Sequence, residues 1–196
     1  KLMMQNFERK FDPNDPNNET KVKNLSGVII GQIEVISRVA TAFSEFAQLP
    51  KRNDEEINLN REIRNVLTIF SDENIFIHAS HDNIMMKIDK DYLARIIINL
   101  VTNASQAKAD NRKSVINVDI EKIEKRIKII VNDNGVGISP DKLEKIFDPN
   151  FTSKNSGMGI GLTMVKRMVE DYNGTIIVVS EVDKGATFTI SMPSNL

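Results

Sequence analysis

The sequence predicts an α+β fold in which a helical segment precedes a domain of alternating strands and helices. Residues 19–49 carry apolar side chains at steps of three and four, with Gln32 in the one gap, which predicts one long helix. Beyond Pro50, short apolar runs such as 127–131 predict strands, and they alternate with helical patterns such as 90–107. A chain of 196 residues is long enough for one large domain with a helical appendage.

Composition and charge exclude several classes of protein. Hydrophobic residues make up 40% of the chain and the formal net charge is −1, so the charge balance does not favour nucleic acid or an anionic membrane as a partner. The lack of cysteine excludes disulfides and thiolate metal sites and suits a reducing cytoplasm. No apolar run approaches the roughly 18 residues of a membrane helix, and no signal peptide is present. Because Lys1 already lies in a helical pattern, we expect a cytoplasmic fragment of a longer protein.

The N-terminal part of the chain predicts two helices separated by a polar loop. Residues 1–11 form the first predicted helix, and the stretch 12–20, rich in Pro, Asn and Asp, forms the loop. The second helix, over 19–49, needs a partner helix for its narrow apolar seam, although packing on the chain's own domain is an alternative. Pro50 ends this helix, and residues 51–54 form a polar linker. The seam consists of Val22, Leu25, Ile29, Ile36, Val39, Phe43 and Phe46.

The remaining residues predict a mixture of strands and helices. The predicted strands cover 56–59, 75–79, 84–88, 115–123, 126–132, 176–181 and 186–192. The predicted helices cover 61–70, 90–107, 140–147 and 162–172.

Two glycine clusters about twenty residues apart lie within this domain and predict a ligand site. Gly135 and Gly137 follow Asp133 at the end of a predicted strand, so the chain can turn under a flat ligand with one carboxylate facing it. The second cluster precedes a predicted helix, whose N-terminal N–H groups favour a phosphate. Each cluster by itself is also compatible with a tight turn that binds nothing. The second cluster consists of Gly157, Gly159 and Gly161.

Two asparagines on a predicted apolar helix indicate a metal ligand. Asn99 and Asn103 are four residues apart and therefore share one helix face. Their amide oxygens suit Mg²⁺, which takes a few protein oxygens together with phosphates and waters. The alternative is a pair of ordinary helix-surface amides.

Taken together, these motifs resemble the ATP-binding region of bacterial sensor histidine kinases, within the wider group of gyrase, mismatch-repair and heat-shock chaperone ATPases. The resemblance covers roughly residues 55–194, with five motifs in the family's order. It implies a Bergerat-type ATPase α/β sandwich, a mixed sheet with helices on one face, preceded by part of a helical hairpin. The motifs are Asn99 and Asn103; Asp133, Gly135 and Gly137; Phe147 and Phe151; Gly157 to Leu162; and Gly185 to Phe188.

The resemblance also implies a role for each residue of an ATP site. Asp133 would accept the amine of adenine, and Thr187 would assist it through water. Asn103 would bind Mg²⁺ with support from Asn99. Lys154 would contact a phosphate, although a solvated lysine is the alternative. The further ATP-binding residues would be Gly135, Gly137, Phe147, Phe151, Thr152, Ser153, Gly157, Met158, Gly159, Ile160, Gly161 and Leu162.

The implied activity is that of a histidine protein kinase, which transfers the γ-phosphoryl group of ATP to a histidine and thence to a response-regulator aspartate. Related chaperone and mismatch-repair ATPases carry a catalytic glutamate where this chain has Asn99, and an amide cannot take a proton from water. We therefore expect transfer rather than hydrolysis. Two alternatives are a gyrase-type ATP-driven conformational machine and a nucleotide-binding scaffold without transfer activity.

The resemblance further divides the chain into a partial dimerisation and histidine-phosphotransfer hairpin (1–50), a linker (51–54) and a catalytic ATP-binding domain (55–196). It implies a homodimer through the hairpin and a response-regulator receiver domain as partner, with any membrane attachment supplied by segments outside this fragment. The sequence departs from the family at the acceptor histidine, which would lie upstream of residue 1. Neither His78 nor His81 is followed by an acidic residue and then the Asn-Pro pattern of such an acceptor, although the sequence HDN at 81–83 comes nearest, so we expect no autophosphorylation.

The finer resemblance is to the nitrogen-regulation (NtrY-like) type of sensor kinase. It rests on the sequences AFSEFA at 42–47 and FDPNFTSK at 147–154.

Overall fold

The computed structural model describes residues 9, 15–47, 52–70, 73–149, 151–152 and 159–194. The chain divides into two units, Lys1–Ala47 and Gln48–Leu196. None of the helices within the described residues combines the length and the apolar character needed to cross a bilayer.

In the first unit, α1 (Asn18–Ala47) is a helix of 30 residues. Its first turn contains Glu19, a carboxylate that the positive end of the helix dipole stabilises. The prediction of a loop over 12–20 was therefore wrong for residues 18–20, which are helical. The predicted helix over 1–11 lies outside the described residues, apart from residue 9.

The apolar seam predicted for α1 is partly exposed. Val22 and Ile36 expose 44% and 66% of their surface, whereas Leu25 and Ile29 are half-buried. The side chains of Val39, Phe43 and Phe46 lie outside the described part of the helix. Apolar side chains as exposed as Ile36 are candidates for contact with a further helix.

The second unit contains two sheets and four helices among its described residues. The strands are β1 (Glu55–Asn58), β2 (Ile75–Ala79), β3 (Met85–Ile88), β4 (Ile116–Ile123), β5 (Arg126–Asp133), β6 (Thr175–Glu181) and β7 (Gly185–Pro193). The helices are α2 (Leu59–Leu67), α3 (Lys90–Gln106), α4 (Pro140–Leu143) and α5 (Gly161–Glu170). The strands β1 and β3 form an antiparallel pair, and the large sheet has the order β2-β4-β5-β7-β6. Because β2 pairs in parallel with β4 and the other pairs are antiparallel, the sheet is mixed, as predicted.

The core lies between this sheet and the helices, and it follows from the two periodicities of the sequence. In β5, Ile127, Ile129 and Val131 are buried while the residues between them are partly exposed. The apolar face of α3 meets the same layer and contacts β4, β5, α2 and α5. Asp89 caps α3 by accepting hydrogen bonds from the N–H groups of Asp91 and Tyr92, at 2.8 and 3.1 Å. The predicted α/β sandwich is therefore confirmed.

Most element boundaries differ from the prediction by one or two residues, with two larger errors at helix C-termini. The predicted helix over 140–147 is wrong beyond Leu143, because the chain continues in tight turns. Lys145 and Asp148 donate their N–H groups three residues back, to Lys142 and Lys145, instead of four residues back as in an α-helix. Pro149 also disfavours the helical conformation of the residue before it. The predicted helix over 61–70 begins at 59 and ends at 67, where a 3-10 turn follows.

Candidate functional site

The candidate site is built around Asp133, the last residue of β5. This carboxylate is only 4% exposed, and its Oδ1 accepts a hydrogen bond from the N–H of Gly135 at 2.8 Å. Burial raises the pKa of Asp133 above its ordinary value, while the N–H donors of Gly135 and Ala186 act in the opposite direction. Asp133 is thus a buried hydrogen-bond acceptor whose orientation the following turn determines.

The turn after Asp133 accommodates only glycine at two positions. A β-carbon at Gly135 would lie 2.2 Å from the carbonyl oxygen of Ala107, which follows α3. Gly137 has φ of +71°, and a β-carbon there would lie 2.1 Å from the carbonyl oxygen of Glu181 at the end of β6. Since both neighbours are backbone atoms, neither contact can be relieved by turning a side chain. The glycines therefore let this loop pass directly between α3 and β6.

Backbone and hydroxyl hydrogen bonds hold the same loop on both sides. The N–H of Val136 donates to the carbonyl of Ala107 at 2.8 Å, and the carbonyl of Val136 accepts from the N–H of Asp183 at 2.8 Å. The N–H of Ile138 donates to Oγ of Ser180 at 2.8 Å. These bonds connect the loop to α3, to β6 and to the turn between β6 and β7.

Two residues that the sequence analysis did not single out complete this anchoring. The guanidinium of Arg112 donates to the carbonyls of Asn134, Gly135 and Asp183, each at 2.6 Å. The side chain of Asn134 accepts from the N–H of Val115 at 2.9 Å. An Asn before Gly is a recognisable turn residue, so Asn134 had a local signal. Arg112 had none, because its partners are distant in sequence.

Asn99 of α3 lies against the start of α5. Asn99 is half-buried, and its Nδ2 donates to the carbonyl of Arg95 at 2.8 Å. Its Oδ1 faces α5, because a β-carbon at Gly161 would lie only 2.5 Å from that oxygen. Asn103 is half-buried one turn further along α3. The structure thus brings Asn99 and Gly161 together.

The N-terminus of α5 offers backbone donors. Gly159 has φ of +64°, and the N-cap residue Ile160 has no polar side chain with which to bind the first N–H groups of the helix. Leu162 is half-buried. Ser153, Lys154, Gly157 and Met158 lie outside the described residues.

Phe147 of the predicted aromatic pair lies near this helix. Thr163 of α5 donates its hydroxyl to the carbonyl of Phe147 at 3.0 Å, and the ammonium of Lys166 lies 5.9 Å from the centre of the Phe147 ring. Phe151 is half-buried, and its N–H donates to the carbonyl of Asp148 at 3.2 Å; Thr152 is exposed. Phe147 therefore packs against α5.

The structure does not bring Thr187 to Asp133. Asp133 pairs with Ala186 across β5 and β7, whereas Thr187 pairs with Asn132 and its Oγ1 accepts from Asn132 Nδ2 at 2.7 Å. Successive side chains of a strand point to opposite faces, so Thr187 and Asp133 face opposite sides of the sheet. The adenine contact predicted for Thr187 is therefore corrected, and Ala186 is the residue of β7 beside the carboxylate.

Known proteins share this architecture. Residues 88–196 match the family model of the histidine kinase-, DNA gyrase B-, and HSP90-like ATPase. The sensor histidine kinase ZraS of Escherichia coli (strain K12) is 33% identical over 178 residues, which cover 88% of this chain and 38% of that protein. Sporulation kinase D of Bacillus subtilis (strain 168) is 31% identical over 169 residues, covering 81% of this chain and 33% of that protein. The chain thus spans less than two-fifths of the length of either relative.

Solved structures show the same fold. The nucleotide-free catalytic domain of histidine kinase ThkA is 28% identical, with a TM-score of 0.66 over 72% of this chain and 96% of that domain. A crystal structure of ThkA in complex with the response regulator protein TrrA is 22% identical, with a TM-score of 0.72, and covers 99% of this chain and 56% of that one. The chain therefore belongs to the family of histidine kinase-, DNA gyrase B- and HSP90-like ATPases, and it contains the catalytic ATPase domain of the sensor histidine kinase type.

Proposed function

We propose that this chain binds ATP with Mg²⁺ and donates the γ-phosphoryl group to a histidine outside residues 1–196, from which it passes to an aspartate of a response regulator. The observation that carries the proposal is the buried carboxylate of Asp133. Its contacts are backbone N–H donors, and the exocyclic amine of adenine is a donor of the same kind. A buried carboxylate that accepts hydrogen bonds from N–H groups suits the amine of an adenine ring placed above Gly135.

The arrangement of the other residues supports distinct roles within this site. Asp133 orients adenine over the turn at Gly135 and Gly137. Asn103 would bind Mg²⁺ with support from Asn99 on the same face of α3, and the Asn99 oxygen faces the start of α5. Phosphate oxygens would accept hydrogen bonds from the N–H groups at the start of α5 and from those of the preceding glycines. The remaining proposed contacts are Phe147, Phe151, Thr152, Ser153, Lys154, Gly157, Met158, Gly159, Ile160, Gly161 and Leu162.

These roles favour phosphoryl transfer over hydrolysis. Bound Mg²⁺ would neutralise charge on the phosphates. Asn99 carries an amide that cannot accept a proton from water, so this residue does not activate a hydrolytic water. The chain's contribution is then to hold ATP in place until an acceptor histidine arrives, which is catalysis by positioning.

We further propose a homodimer formed through α1, within a partial hairpin spanning 1–50 that a linker at 51–54 joins to a catalytic domain at 55–196. The exposure of Val22 and Ile36 supports this, because a partner helix would bury both. The substitution Ile36→Asp should weaken the dimer, as measured by light scattering over a range of concentrations. The control substitution Lys23→Asp, at an exposed polar position, should not. A monomer that Ile36→Asp leaves unchanged would contradict the dimer.

The proposal places the chain in the cytoplasm, as part of a sensor whose signal-receiving segments lie elsewhere. We also propose the nitrogen-regulation (NtrY-like) subgroup, from the sequence at 42–47 and 147–154. Preferential transfer to a nitrogen-regulation receiver domain over other receivers would support this subgroup. Equal or weaker transfer to that receiver would exclude it.

Incubation with γ-labelled ATP tests the function directly. This chain alone should remain unlabelled, because its exposed histidines, His78 and His81, lack an acceptor's surroundings. A longer chain that includes the upstream helix, made unable to bind ATP by Asp133→Ala, should become labelled when this chain is added. The matched control is this chain with Asp133→Ala, which should donate nothing.

Each other outcome identifies a different function. Steady release of phosphate without a labelled protein would indicate a gyrase-type machine. ATP binding without transfer would indicate a scaffold. Acid-labile label on this chain that His78→Ala or His81→Ala removes would show that the acceptor lies within the domain.

A further inference from the structure

Arg112 lies where three separate segments meet. It belongs to the loop between α3 and β4, and its guanidinium contacts the turn after β5 and the turn between β6 and β7. Nε donates to the carbonyl of Asn134, while Nη2 donates to the carbonyls of Gly135 and Asp183, all at 2.6 Å. The planar guanidinium, with its five N–H donors in fixed directions, can bind three carbonyls at once. The ammonium of lysine has three donors on a single atom and does not match this geometry.

The contact with Gly135 connects Arg112 to the carboxylate of the site. Gly135 is bound on two sides: its carbonyl accepts from Arg112, and its N–H donates to Oδ1 of Asp133. The carbonyl of Asn134, which accepts from Nε of Arg112, and the N–H of Gly135 belong to the same planar peptide unit. A shift of this peptide therefore moves the donor that orients Asp133. Arg112 does not itself contact Asp133 among the hydrogen bonds of the site, so any effect on the carboxylate passes through this peptide.

We propose that Arg112 is a positioning residue for base recognition, which sets the orientation of the Asp133 carboxylate and thereby the preference for adenine over guanine. The proposal rests on the function proposed above. Adenine presents an amine to the carboxylate, whereas guanine presents a carbonyl oxygen at the same position, which a carboxylate repels. Discrimination of this kind requires a rigid acceptor, because a mobile carboxylate could turn away from the carbonyl.

The test measures the affinities of the chain for Mg·ATP and Mg·GTP by calorimetry, together with the thermal unfolding midpoint. The variants are Arg112→Gln, which removes the charge, and Arg112→Lys, which keeps it. Loss of hydrogen bonds from a charged donor should weaken ATP binding about tenfold and reduce the ATP-to-GTP preference by about the same factor. Arg112→Lys should behave similarly, because one ammonium cannot bind all three carbonyls.

A matched control is available at the other end of the same strand pair. Arg126 also joins β5 to β7, donating to Oγ and to the carbonyl of Ser191 at 2.8 and 2.9 Å. Arg126→Gln should lower the unfolding midpoint without changing the preference for ATP. Millimolar guanidinium should restore part of the ATP preference to Arg112→Ala but have no such effect on Arg126→Ala.

The outcomes separate this inference from the function on which it rests. If the wild-type chain prefers ATP and both Arg112 variants keep that preference, this inference is overturned alone, even where the unfolding midpoint falls. If Arg112→Gln does not fold, the ATP-to-GTP preference of Arg112→Lys alone decides whether the inference holds. A wild-type chain that binds no ATP would overturn the proposed function and this inference together.

Discussion

Replacing Gly161 by alanine should impair nucleotide handling while leaving the stability of the fold almost unchanged. The added methyl carbon would lie 2.5 Å from Oδ1 of Asn99, about 0.9 Å short of the 3.4 Å at which ordinary van der Waals contact begins. The side chain of Asn99 must therefore rotate away and lose its hydrogen bond to the carbonyl of Arg95. That loss costs about 1 kcal/mol, whereas exchanging Gly for Ala in a helix gains up to about 1 kcal/mol. The two effects nearly cancel in the free energy of unfolding.

The functional effect should be larger, because a displacement of about 1 Å at a reacting site can cost about a hundredfold in rate. We expect Gly161→Ala to slow transfer of labelled phosphate to a histidine-bearing partner chain by about that factor. The free energy of unfolding in urea should stay within about 1 kcal/mol of the wild type. Gly27→Ala is the control, since nothing lies within 4 Å of its added carbon. Transfer at the wild-type rate by Gly161→Ala would show that the position of Asn99 does not matter to the reaction.

Three further substitutions test other parts of the domain. Burial raises the pKa of Asp133, so the contribution of this group to stability is complete below the ordinary value of 3.8 and is lost as pH rises through the folded-state pKa. Asp133→Asn should therefore raise the unfolding midpoint of the nucleotide-free chain near neutral pH, and raise it less in acid. The same substitution should abolish ATP binding in calorimetry. Thr187→Val should leave ATP affinity unchanged and lower the free energy of unfolding in urea by about 1 kcal/mol or less, because only the hydrogen bond from Asn132 is lost. Weaker ATP binding would show that Thr187 does contribute to the site. Tyr172→Phe should destabilise the domain by about 1 to 3 kcal/mol in urea unfolding, because it removes the acceptor of the Asp89 N–H at 2.9 Å; an unchanged midpoint would show that water replaces the hydroxyl.

The fold could be predicted from the sequence, because its strands and helices follow local patterns of apolar residues. The apolar run of Ile127, Ile129, Ile130 and Val131 predicts a buried strand, and the structure places the first, second and fourth of these in the core. The end of the helix at Leu143 could not be predicted from such a pattern. Beyond this residue the chain forms three-residue turn hydrogen bonds at Lys145 and Asp148, which the helical sequence pattern does not reveal.

Parts of the candidate site depend on contacts that no local pattern encodes. Whether Thr187 or Ala186 stands beside Asp133 depends on the register of two strands that lie some fifty residues apart in sequence, and a shift of one residue reverses the face. The role of Arg112 likewise depends on three carbonyls from two remote turns. Motif spacing can locate the loops of such a site, but it does not determine which side chains meet across them.

The glycines of the site differ in the kind of atom beside them, and this difference decides what each substitution can test. A β-carbon at Gly135, Gly137 or Gly185 would meet backbone at 2.2, 2.1 and 1.9 Å, so alanine there requires segments of the sheet or helix to move. At Gly137 and Gly185 the positive φ adds strain of about 1 to 2 kcal/mol. Loss of activity in those variants would therefore reflect folding as much as ligand binding. At Gly161 the nearest atom is instead a side-chain atom, Oδ1 of Asn99, so its replacement separates the geometry of the nucleotide site from the stability of the fold.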